Sequence, residues 1–121
     1  MKKVVILIVL FVGFAGFSQN EDYKTDALKL VKMQSEGQFE VMLKPFKSMV
    51  PAENQEAFMK EVRATMPDLY KQIAEVYMEY YTHEEIKEIL DFYESPIGQK
   101  VIEQTPKITE KSMTIGQTWG M

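Results

Sequence analysis

From Asn20 onward the apolar residues of this chain return every third or fourth position and never alternate, and that spacing admits one kind of architecture, an all-α fold. Ala27, Leu30 and Val31 share a helical face, and Gly37 is placed where a helix could stop. Phe39, Met42, Leu43, Phe46, Met49 and Val50 form a second apolar face, interrupted by Pro45, which lacks an N–H and should kink or divide its helix. A helix restarts near Pro51 or Ala52 with Phe58, Met59, Val62 and Met66 inward. Pro67 suits a first helical turn, followed by a stripe of Leu69, Ile73, Val76, Tyr77, Tyr80 and Tyr81. With so many prolines, the expectation is a compact bundle of five to seven short helices with Pro- and Gly-punctuated turns.

The first eighteen residues follow different rules. Lys2 and Lys3 precede fourteen uncharged, mostly apolar residues, Val4 to Phe17, and Gly16 and Ser18 are small residues at the spacing a signal peptidase reads. That layout predicts a signal peptide over residues 1–18, because a membrane-spanning helix needs about 20 apolar residues. The expected product is an exported, periplasmic or secreted chain with no stable membrane anchor, a single helical domain over residues 19–121. Cleavage leaves 12 basic residues against 18 acidic ones, a net charge of −6. Nucleic acid and anionic membrane surfaces call for a basic face, so neither is an expected partner. Cysteine is absent, so packing must replace the disulfides common in small exported domains.

Local capping signals are sharpest in the second half. In "THEEIKEIL", Thr82 and Glu85 form a capping box ahead of Ile86, Ile89, Leu90 and Tyr93, and that helix should end near Glu94. Ser95 is a natural N-cap, Pro96 a natural first residue, and Gly98 allows close approach to a neighbour. Thr105 and Pro106 repeat the pattern and predict another helix start, with Ile108, Ser112, Ile115 and Trp119 along one side.

Over residues 77–119 these signals combine as "YYTHEEIKEILDFYESPIGQKVIEQTP", and the combination resembles the secreted bacterial proteins known as domain of unknown function 2059. The matching positions are Thr82, Glu85, Leu90, Phe92, Tyr93, Ser95, Pro96, Gly98, Lys100 and Pro106. The resemblance implies an exported, all-helical domain. It implies no reaction and transfers no catalytic residue.

The residues offer little for chemistry. His83 is the single histidine, and "HEEIK" places Lys87 where a zinc-protease helix needs its second histidine. It reads as a solvent-facing residue of a first turn. Glu84, Glu88 and Asp91 form a stripe that reads as a solvated face, with Lys87 set to pair with Asp91 across one turn. No Glu-x-x-His pair suggests a di-iron site and no Asp-rich loop suggests calcium, so neither metal nor cofactor is expected. Ser95 is committed to capping, and acid pairs such as Glu94 with Glu103 arise by chance among eighteen acids.

Aromatics and methionines carry the functional interest. Nine methionines and the clustered Tyr77, Tyr80, Tyr81, Phe92, Tyr93 and Trp119 either fill a core between short helices or line an adaptable groove. The expected role is non-enzymatic binding of a protein or peptide at a corner formed by Tyr81, Phe92, Tyr93, Pro96 and Lys100. Carriage of an apolar or lipid-like ligand is the alternative, and a small hydrolase built on His83 or an acid pair comes third.

Overall fold

A computed structural model describes the backbone of residues 12–121 and the side chains from Ser18 onward. Residues 1–11 of the segment predicted as a signal peptide lie outside those described residues. Four α-helices and one short turn make up the fold: α1 Val12–Met49, a 3-10 turn Ala52–Asn54, α2 Gln55–Tyr80, α3 His83–Glu94 and α4 Pro96–Gly120. Among the described residues there is no strand, as the three-and-four spacing requires. No described helix is long and apolar enough to cross a membrane.

The helices are fewer and longer than expected because three prolines fail to divide them. Pro45, Pro67 and Pro106 all lie inside helices. An interior proline costs about 3 kcal/mol, and tertiary contacts on both sides can hold a helix through it. At Pro106 those contacts are visible. Val101 and Ile102 on one side help line a cleft against α1, and Glu110 on the other pairs with Lys44 of α1 at 2.6 Å. Thr105 is accordingly no N-cap. Its hydroxyl donates to the Val101 carbonyl at 2.6 Å, the back-bond of a threonine within a helix. Gly37 does not stop a helix either; α1 continues for twelve residues beyond it.

Helix α1 packs against each of the other three. It runs antiparallel to α2, as the pairs Tyr23 with Met78, Gln34 with Tyr77, and Glu40 with Arg63 show. It runs in the same direction as α4, where Gly37 meets Pro106 and Lys44 meets Glu110. The core is formed by Ala27, Leu30 and Val31 of α1, Tyr70 and Ala74 of α2, and Ile86 and Leu90 of α3. Leu30, Val31 and Ile86 are fully buried, and each such side chain stabilises the fold by about 1.5–3 kcal/mol.

The α1 and α3 faces are therefore those the spacing predicts, whereas α2 is turned slightly. It buries Tyr70 and Ala74, leaving Leu69, Val76 and Tyr80 of the predicted stripe exposed. The second apolar face of α1 is also largely uncovered beyond Phe39, with Met42, Phe46 and Met49 exposed. On α4, the predicted Ile108, Ile115 and Trp119 side faces solvent. The methionines divide between roles: Met59 is buried and Met33, Met66 and Met78 pack on the core, while Met42, Met49, Met113 and Met121 are exposed.

Candidate functional site

The α3–α4 corner is shaped by side-chain hydroxyls. Thr82 adopts an extended backbone (φ −71°, ψ 163°), its hydroxyl accepts from the Glu85 N–H at 3.3 Å, and the Glu85 carboxylate accepts from the Thr82 N–H at 2.7 Å. Two otherwise orphaned amides are thereby satisfied, and the start of α3 is held. Thirteen residues on, Ser95 is also extended (φ −70°, ψ 161°), its hydroxyl accepts from the Gly98 N–H at 3.2 Å, and Pro96 opens α4. Gly98 is buried, and a Cβ there would stand 1.9 Å from the Phe92 carbonyl oxygen and 2.5 Å from the Tyr93 Cα. Only glycine lets α4 fold back so tightly over the end of α3. Thr82, Glu85 and Ser95 thus cap their helices, Pro96 is the first residue of α4, and Gly98 admits the close approach.

This corner gathers part of the predicted surface. Tyr81, Phe92 and Tyr93 line a cleft of about 470 Å³ together with Glu85, Glu88 and Ile89. Phe92 and Tyr93 meet edge to face at 5.2 Å between ring centroids. Pro96 and Lys100 are exposed on the first turns of α4 and do not line that cleft. Glu85 is engaged in the cap, which leaves Glu88 as the carboxylate facing the aromatic side chains without an ion pair among the described residues.

Tyr93 is shared with a second cleft, between α1 and α4, whose lining includes Gln34, Gln38, Phe39, Tyr77 and Thr105. Nothing in the spacing of α1 singled out Gln34 or Gln38. Polar residues one turn apart read as a solvated face until α4 is laid beside them.

His83 departs from its predicted place in solvent. Its Nε2 lies 2.7 Å from Asp26 Oδ2, its ring stacks on Tyr23 at 5.0 Å, and its side chain is only 20% exposed. The Tyr23 hydroxyl donates to the Met78 carbonyl at 3.0 Å and contacts that of Tyr81. The group therefore clamps α1 to the turn between α2 and α3. Its surroundings are Gln19, Asn20, Asp22, Glu84 and Lys87, with no serine, threonine or cysteine among them. Lys87 pairs with Glu84 at 2.9 Å rather than with Asp91, and that cation holds the Glu84 carboxyl below the usual carboxylate range. Among the described residues no group of three or more histidines, cysteines and carboxylates could hold a metal ion.

Residues 67–121 match the family model described as "Uncharacterized protein conserved in bacteria (DUF2059)". The match reaches ten residues further upstream than the motif resemblance, into α2, and covers α3 and α4 completely. The matched stretch includes the Thr82 and Ser95 caps, Gly98 and the aromatic corner, whereas α1, which completes the fold, lies outside it. No curated protein and no solved structure matches the chain.

Proposed function

We propose that the protein is an exported, non-catalytic interaction module that takes a protein or peptide segment in the cleft lined by Tyr81, Phe92 and Tyr93. The observation that carries this reading is the exposure of two aromatic side chains along one shallow depression, Tyr81 at 42% and Phe92 at 46%. Aromatics are the side chains that supply most energy when a partner covers them. Glu88 beside them suits a segment carrying a lysine or arginine. Export is supported by the amino-terminal Lys2–Lys3 pair and the apolar run behind it. A binding role without chemistry is supported by the hydroxyls of Ser95 and Thr82, both engaged with backbone amides. His83 is likewise engaged, with Asp26, and no serine, threonine or cysteine lines its cleft.

A photo-crosslinker introduced at Glu88 in the native host tests the proposal. The expected result is one captured protein, lost when Phe92→Ala is added while the melting temperature stays within about 1–2 °C, as for a surface change below 0.5 kcal/mol. Capture that persists in the Phe92→Ala variant overturns it.

A further inference from the structure

We propose that the cleft between α1 and α4 binds an uncharged ligand bearing a secondary amide. Its volume, about 410 Å³, is within the range of small-molecule sites. No aspartate, glutamate, lysine or arginine lines it. A charged ligand entering would lose hydration without meeting an opposite charge, which selects neutral molecules. The walls are instead the aromatic side chains of Phe39, Tyr77 and Tyr93 with the polar groups of Gln34, Gln38 and Thr105.

The two glutamines are set for complementary tasks. The Tyr77 hydroxyl donates to Gln34 Oε1 at 2.6 Å, which orients that side chain and leaves its Nε2 hydrogens to be given. Burial raises the Tyr77 hydroxyl above the ordinary tyrosine range, with Tyr81 and Tyr93 adding to the effect, and so keeps it a donor. Gln38 has the reverse arrangement: its Nε2 donates to the Gln34 carbonyl at 3.2 Å, and its Oε1 remains to accept. One turn apart on α1, the two lie on the same face. The cleft therefore presents a donor next to an acceptor, the pattern that an amide answers with its own C=O and N–H. A peptide backbone and an acetylated amino sugar both carry that group, and aromatic walls suit either.

Titration of the full chain by amide-resolved NMR, following the Gln34 and Gln38 side-chain signals, tests the proposal with three probes. Two are N-acetylglucosamine and the doubly capped neutral dipeptide N-acetyl-alanyl-alanine N-methylamide; the third is glucose, which lacks the amide. The expected result is saturable shifts with at least one amide probe and weaker binding of glucose, and the better amide probe identifies the source. Gln38→Leu should weaken that binding roughly fivefold, as for one lost neutral hydrogen bond. Gln38→Met takes its place if the leucine variant melts early. Trp119→Ala, at an exposed position that lines neither cleft, should leave it unchanged. Absence of binding by both amide probes, equal binding of glucose, or unaltered affinity in the Gln38 variant overturns the proposal.

Discussion

Pro106 of α4 rests against Gly37 of α1 so closely that a methyl group on Gly37 would stand 2.7 Å from the proline Cγ. Two residues that each disfavour a helix thus fit one another across a helix–helix contact. Replacing glycine by alanine inside a helix ordinarily stabilises by about 1 kcal/mol. Here the methyl must displace a ring tied to its own backbone. Gly37→Ala should therefore yield no gain, or a loss, in a urea titration. Repeated in a Pro106→Ala background, the same change should recover its gain of about 1 kcal/mol. Additive behaviour of the two changes would show that the contact is not restrictive.

Gly98 permits no such relief. The obstacles to a side chain there are the backbone of Phe92 and Tyr93, not a side-chain end. Gly98→Ala should cost about 3 kcal/mol or more, the range of severe packing defects, and should shift the circular-dichroism melting curve well below that of the parent. A melting temperature within 2 °C of the parent would contradict the close approach of α4 to α3.

The capping box gives a milder case. Thr82→Ala removes the acceptor for the Glu85 amide and should lower stability by about 1 kcal/mol, whereas Thr82→Ser should retain most of it. Equal melting of the alanine and serine variants would mean that the box contributes nothing.

Tyr70 allows a gain. Its ring is 5% exposed, and its hydroxyl has no hydrogen-bond partner among the described atoms. A buried hydroxyl left so costs about 1–3 kcal/mol. Tyr70→Phe should stabilise by about that amount. Burial also raises the Tyr70 hydroxyl above its ordinary value of 10.0, with Glu36 and Glu40 adding to the effect. A group raised in the folded state contributes stability that is complete below the unfolded value and lost as pH climbs through the folded one. Melting temperatures should therefore fall above about pH 10 in the parent, and less steeply in the phenylalanine variant.

What could be read in the residues depended on the range of the interaction. The Thr82 and Ser95 caps were legible because cap and partner lie three positions apart, and the core faces of α1 and α3 because burial there follows helical period. Ser95-Pro96 and Thr105-Pro106 look alike locally but end differently, since only the first has Gly98 to let the chain turn back. At the second, Gly37, sixty-nine positions away, accepts the proline and α4 runs on. The same distance hid the site. Phe92 and Tyr93 were visible as neighbouring aromatics, but the Gln34–Tyr77 pair spans forty-three positions and the His83–Asp26 pair fifty-seven. Pro96 and Lys100 fall outside the cleft because residue type says nothing of which side of α4 a side chain takes.

That α1 serves as the shared wall for every other helix has a consequence for assembly. A ribosome delivers α1 first, yet the residues that seal its flank come last; Lys29 waits sixty-five positions for Glu94, and Lys44 sixty-six for Glu110. The core side chains of α1 meet those of α2 and α3, so a nascent chain keeps an oily seam uncovered until α3 arrives.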